Sequence, residues 1–148
     1  MMGLTLHNTA MGIGAVFLLV GVLGFIPGIT TNYGAMTFAG HESGAMLLGV
    51  FQVSVLHNIV HLLFGVAGIA MARTDRMARM FLLGGGAVYL LLWIYGLVID
   101  MSASTNFVPF NSADNWLHLI LGVAMIGLGL WLGRDAVEAN AATKESTA

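Results

Sequence analysis

The chain has 148 residues, of which 58% are hydrophobic and only 8% are charged, whereas soluble domains carry about 25% charged residues. This composition predicts an integral membrane protein. With a net charge of -2 and five basic residues, the chain has no patch able to neutralise a run of phosphates, which argues against a nucleic-acid partner. The absence of cysteine excludes disulfides, thiolate metal sites and thiol nucleophiles.

Four mostly apolar runs follow one another along the chain, and each approaches or exceeds the roughly 20 residues that a membrane-spanning helix needs. They predict an all-α fold, a bundle of four transmembrane helices in a single domain over residues 1–133. The first helix is expected over residues 10–29. It lacks the basic n-region of a secretory signal peptide, so we expect it to be retained.

The second run, residues 44–72, is long for one span. Ser54 lies where a serine can accept a hydrogen bond from the first turn of a helix, so we start helix 2 near residue 55 and end it near residue 72. Residues 44–53 then form an apolar lead-in at the outer surface or dipping into the bundle. One tilted helix over the whole run remains the alternative.

The third helix is expected over residues 80–99. Ser112 lies before the fourth run as Ser54 lies before helix 2. This predicts a helix over residues 113–133. Residues 134–148 are small and polar, and we expect them to form a disordered cytoplasmic tail.

The pattern Asn-x-x-His-Leu-x-x-Gly-Val-Ala occurs twice, from Asn58 to Ala67 and from Asn115 to Ala124. A weaker likeness joins residues 14–24 to residues 86–96. These matches predict two tandem two-helix units related by a pseudo-twofold axis along the membrane normal.

The few cations predict the orientation, because basic residues in short loops stay on the cytoplasmic side. Arg73, Arg76 and Arg79 lie between the second and third runs, and Arg134 and Lys144 follow the fourth. The other two connections have no Lys or Arg. Both termini are therefore expected in the cytoplasm.

The repeated line also places polar side chains on two helices. His57 and His61 share a helix face, and Asp114 and His118 repeat that spacing. If the four converge, they form a set adequate for Zn²⁺ or another divalent transition metal. His61 and His118 alone could instead ligate a haem b iron.

The structural alternative needs no ligand. The polar motif would then serve hydrogen bonding between helices and at their starts. Its members are Ser54, Asn58, His61, Ser112, Asn115 and His118.

The segments LHNIVHLLFGVAGIA, ADNWLHLILGVAMIGLG and GGGAVYLLLWIYGLV resemble an uncharacterised family of small four-helix bacterial membrane proteins, a domain of unknown function frequent in actinobacteria and cyanobacteria. The likeness covers about residues 10–133. It implies a four-helix fold in the bacterial inner membrane. It also implies that His57, Asn58, His61, Asp114, Asn115 and His118 are motif positions.

The leading functional hypothesis is a non-catalytic membrane protein without a cofactor. Besides the lipid bilayer, its expected partners are copies of itself or the subunits of a larger complex, such as a respiratory or photosynthetic one, in which it is a small accessory subunit. A haem-binding or metal-binding protein is the alternative hypothesis. A small transporter or channel ranks third, because the cytoplasmic halves of the helices look too apolar to line a path.

Overall fold

The computed structural model describes residues 4–146, and within them four helices carry the fold. The expected all-α four-helix bundle is confirmed. The helices are α1 (Leu6–Leu23), α2 (Val55–Met71), α3 (Asp75–Val98) and α4 (Ser112–Ser146). A small antiparallel sheet in the order β1 (Thr30–Thr31), β2 (Met46–Leu47) and β3 (Phe51–Gln52) lies between α1 and α2 in sequence.

Three helices begin at hydroxyl caps that satisfy a free N–H of the first turn. Thr5 accepts from the N–H of Asn8 before α1, and Thr74 accepts from Met77 before α3. Ser54 accepts from the N–H of His57 before α2, which starts at residue 55. The cap at Thr74 explains why α3 begins five residues before the expected start at residue 80.

The ends of α1 and α4 also differ from the expectation. α1 ends at Leu23 rather than near residue 29, because the chain turns ahead of Pro27 and of Gly28, whose φ is 96°. α4 continues to Ser146, so residues 134–146 are helical where we expected a disordered tail. This extension is rich in alanine, the strongest helix former. Residues 147–148 lie outside the described part of the chain.

The segment before α2 forms a hairpin rather than a helix. β2 and β3 pair with Leu47 opposite Phe51, and the turn between them has positive φ at Leu48 and Gly49. A continuous helix over residues 44–72 is therefore wrong. Below, "hairpin end" means the end of the bundle that holds residues 24–54 and 99–111. "Arginine end" means the opposite end, which holds the turn between α2 and α3.

The two halves of the chain use the same helix contacts. α1 packs mainly on α2, and α3 mainly on α4. A Cβ added to Gly14 would lie 2.9 Å from the carbonyl oxygen of Gly65, and a Cβ added to Gly86 would lie 3.0 Å from that of Gly122. Both pairs hold equivalent positions in the repeat. Glycine thus allows each helix pair to approach at backbone distance.

The two helix pairs meet at aromatic rings that are themselves equivalent in the repeat. Phe17 of α1 and Tyr89 of α3 stack with centroids 5.4 Å apart and planes 13° apart. Phe17 also contacts the ring of His61, at 5.6 Å, as Tyr89 contacts that of His118, at 5.4 Å. The pseudo-twofold axis therefore passes between Phe17 and Tyr89, and His61 and His118 lie at corresponding levels.

The outer surface of the helices is largely apolar, and in α2 the buried residues are polar or small. α1, α3 and α4 are long and apolar enough to cross a membrane, and α2 is a shorter apolar helix of 17 residues. The fully buried residues of α2 are His57, Asn58, His61, Gly65 and Gly68. Its large apolar side chains instead face outward, among them Ile59, Leu63, Val66 and Ile69. This distribution is the one that lipid requires.

Candidate functional site

A cavity of about 110 Å³ lies inside the hairpin end of the bundle. His57, His61, Asp114 and His118 line it, so the four residues that the sequence predicted to converge do border one space, and the surface they present to it is almost wholly apolar. The rest of the wall is apolar and comes from three places. It consists of Val20 and Leu23 of α1, Leu47, Leu48 and Phe51 of the hairpin, and Leu117 and Leu121 of α4.

The three histidines of this cavity are buried, and the Nδ1 atom of each ring has no hydrogen-bond partner in the described part of the chain. Their relative exposures are 6% for His57, 5% for His61 and 2% for His118. No atom in the described part of the chain hydrogen-bonds to any of their three Nδ1 atoms. Because buried polar atoms are normally paired, three unpaired ring nitrogens in residues beside one cavity set this region apart. The nitrogens lie behind the apolar atoms that face the space, so a ligand there would reach them only if the rings turned.

Aromatic rings fix the orientation of these histidines. His57 and His61 lie ring against ring, with centroids 4.4 Å apart. His118 is held between Tyr89 and Phe110, the latter meeting it edge to face at 4.8 Å and 77°. The histidine rings are therefore positioned by packing while their Nδ1 atoms remain free of protein partners.

Asp114 has a structural role that the sequence did not predict. The side chain is 1% exposed, and its Oδ2 accepts hydrogen bonds from the backbone N–H of Gln52, at 3.1 Å, and of Asn111, at 3.0 Å. Asn111 Oδ1 in turn accepts from the N–H of Asp114 at 2.9 Å. This reciprocal pair is a capping box. Asp114 therefore starts α4 and also ties the hairpin to it.

The capping box corrects the role predicted for Ser112. Asn111 caps α4, while Ser112 is the first helical residue and is exposed. Ser54, by contrast, is buried and caps α2 as expected. The two helix starts of the repeat thus use different chemistry, a hydroxyl at α2 and an amide with a carboxylate at α4.

The paired asparagines pack against paired glycines. A Cβ added to Gly24 would lie 2.1 Å from Oδ1 of Asn58, and one added to Gly96 would lie 2.2 Å from Oδ1 of Asn115. Asn58 Nδ2 points to the sulfur of Met36 at 3.9 Å, and Oδ1 of Asn115 has no hydrogen-bond partner in the described chain. The asparagines face the interior, as predicted, but they do not bond to each other.

Two buried loop residues support the site and were missed in the sequence. Ser43 donates to the carbonyl of Val53 beneath the hairpin. Asn106, with 0% exposure, accepts from the N–H of Phe110 and donates to two carbonyl oxygens, which folds the loop before α4. Loop residues have no helical period to reveal them, so only their type, small and polar, could have indicated a role in a turn.

The geometry limits which ligands the cavity can hold. Within residues 4–146, no three His, Asp or Glu side chains are grouped so as to hold one metal ion. The four-residue metal set lines one cavity without forming a coordination sphere. The volume of about 110 Å³ is also far below the ~300 Å³ at which pockets begin to hold drug-sized ligands, so a haem would require the hairpin to move.

Replacing Asp114 with alanine tests the link between hairpin and α4. We expect Asp114→Ala to lower the free energy of unfolding by about 1–3 kcal/mol, because it leaves two N–H groups without their acceptor. Thermal unfolding in detergent would measure the loss, and hydrogen exchange should accelerate in residues 46–52. Asp135→Ala is the matched control, since Asp135 is exposed, and it should change stability by less than about 0.5 kcal/mol. Equal effects of the two variants would contradict the structural role of Asp114.

Comparison with known proteins gives one family. A family model described as "Domain of unknown function (DUF4383)" matches residues 7–131, which include all four helices up to Trp131 of α4. Neither the curated proteins nor the solved structures give a match. The matched range contains the cavity, the histidines and both copies of the Asn-x-x-His line. The chain belongs to the DUF4383 family, a domain of unknown function.

Proposed function

We propose that this chain is a non-catalytic integral membrane protein that works as a homo-oligomer or as a small accessory subunit of a larger membrane complex, such as a respiratory or photosynthetic one. The observation that carries the proposal is a set of small residues on the outer surface of the helices. Gly12 and Gly127 are exposed, and a Cβ added to either of them would meet nothing within 4 Å.

These outward glycines have no packing role inside the chain. Glycine within a helix costs about 1 kcal/mol relative to alanine. The interior glycines offset this cost by close contacts within the bundle, whereas the outward ones have no contact there. Each also has an exposed alanine three residues away, on the same side of the helix, and small residues are enriched at helix interfaces in membranes. The pairs are Gly12 with Ala15 and Ala124 with Gly127.

The mass of the protein in mild detergent tests this proposal. We expect the extracted protein to run as more than one chain of 15.6 kDa or together with larger subunits. Gly127→Leu, which adds bulk to an outward small pair, should shift the protein toward the monomer. Val123→Leu is the matched control, because Val123 is an exposed residue of the same helix that is already large. A wild-type protein that runs as a stable monomer without partners would overturn the proposal.

We also propose four spans in a bacterial inner membrane, with both termini in the cytoplasm. α2 is short for a span, but the apolar hairpin continues it at one end, and irregular backbone is tolerated at membrane depth when it is buried in protein. Ala45, Leu47 and Val53 of that segment are buried. The turn between α2 and α3 supplies the positive charges that favour the cytoplasmic side.

Cysteine labelling tests this orientation, and the natural chain has no cysteine to interfere. Ser104→Cys places a thiol in the loop between α3 and α4, and Ala142→Cys places one near the end of α4; both positions are exposed. In spheroplasts, a membrane-impermeant maleimide should label Ser104→Cys but should label Ala142→Cys only after lysis. The reverse pattern would show that both termini lie outside.

A second candidate function is ligand binding in the histidine cavity, favoured by the three unpaired Nδ1 atoms. It retains the idea of a cofactor or metal carrier, with His61 and His118 as the central residues. A transporter or channel has less support. The rings of Phe17, Phe64 and Tyr89 pack against one another and contact His61 and His118, so they fill the interior where a path would have to run.

Absorption spectra and metal analysis of the purified protein test this second candidate. A carrier should show a Soret band or about one equivalent of a transition metal, and both should be lost in His61→Ala and His118→Ala. His41→Ala is the matched control, because His41 lies in a loop outside the cavity. A colourless, metal-free wild-type protein would contradict the carrier function.

A further inference from the structure

A second and larger cavity lies at the arginine end. It is an open groove of about 590 Å³ between α3 and α4, with Leu6 of α1 at one side. Its walls are mainly apolar and include Met80, Leu83, Ala136 and Val137. Arg76 and Arg79 also line it. The groove therefore joins an apolar floor to two positive charges.

The two arginines are available to a ligand. Within the described residues neither forms an ion pair, and the buried Nε of Arg79 has no hydrogen-bond partner. Arg79 packs against the backbone of Gly133, where an added Cβ would lie 2.5 Å from Nε. A buried guanidinium N–H without an acceptor favours an anion that can reach it.

The acidic residue of the groove pairs with a histidine rather than with either arginine. Asp75 lines the groove, but its Oδ1 lies 2.8 Å from Nε2 of His7. Asp135 lies nearby on α4 but lines a separate pocket with His7. The mouth of the groove therefore presents Arg76 and Arg79 beside an aspartate already engaged by a histidine.

We infer that this groove binds an anionic phospholipid, with one acyl chain along the apolar floor and the phosphate at Arg76 and Arg79. Basic pockets between transmembrane helices near the cytoplasmic face suit such headgroups, and arginine binds phosphate through paired N–H donors. The inference rests on the proposed membrane location of the chain. The apolar floor selects a lipid over a free anion, because a free phosphate leaves the floor uncovered.

Native mass spectrometry of the detergent-solubilised protein tests the inference. The probes are dioleoyl phosphatidylglycerol, dioleoyl phosphatidylcholine with the same acyl chains, and inorganic phosphate. We expect one retained phosphatidylglycerol per chain, weaker retention of phosphatidylcholine and no stabilisation by phosphate. Arg76→Gln combined with Arg79→Gln should weaken phosphatidylglycerol binding on the order of tenfold or more.

Two further variants make the result specific to the groove. Arg73→Gln removes a charge at the same end without touching the groove, and it should retain wild-type binding. Gly84→Leu adds a side chain where nothing lies within 4 Å, so it should fill the groove and weaken the binding of both lipids without lowering stability.

Equal phosphatidylglycerol binding by the wild type and by the double glutamine variant would overturn the inference. So would stabilisation by inorganic phosphate equal to that by the lipid, or unchanged lipid binding in Gly84→Leu. These outcomes are independent of the oligomer and topology experiments. A protein that fails those experiments but binds lipid here would refute the proposed function alone.

Discussion

The close approach of helices at glycine is the constraint on which the rest of the structure depends. Gly14 and Gly86 bring α1 onto α2 and α3 onto α4 at backbone distance, and Gly24 and Gly96 leave space for the two asparagine amides. Within a membrane, helices gain nothing from hiding apolar surface, so shape and small size must hold them together. The two asparagines can be interior only because the facing helix has no side chain at those points.

The same constraint produces the histidine cavity. With the helix pairs fixed at their glycines, a space remains beside His57, His61 and His118. The hairpin covers this space, and the hydrogen bond from Gln52 to Asp114 holds the cover to α4. The cavity thus depends on two features. One is the close packing of helices at glycine, and the other is the Asp114 carboxylate that holds the hairpin over the space.

The sequence was informative where a physical period or a repeated pattern existed. Four apolar runs predicted the helices, and the duplicated Asn-x-x-His line predicted that its polar residues face one interior space. Helix ends were less predictable, because the cap at Thr74 and the early end of α1 depend on single turns. The hairpin was missed for a related reason: residues 44–53 are apolar except for Gln52, and an apolar run of that length fits a strand pair or a helix equally well.

The sequence predicted which residues line the cavity better than it predicted what each of them does. His57, His61, Asp114 and His118 do line one cavity, since spacing on two related helices fixes which faces meet. The role of Asp114 was not predictable, because its partners are backbone N–H groups of the hairpin and the helix cap. A sequence gives no distance between such groups. The groove at the arginine end was also not foreseen, since its walls come from residues of three helices that are distant in sequence.

The stacked rings of Phe17 and Tyr89 have a consequence for how the fold is assembled. These rings occupy equivalent positions in the repeat and contact each other. Either helix pair by itself would therefore leave its ring, and the histidine beside that ring, exposed. A separate two-helix unit would therefore need to associate with a second copy of itself. Joining both pairs in one chain replaces a concentration-dependent encounter with an intramolecular one, and it lets the two facing rings differ, which two identical chains could never do.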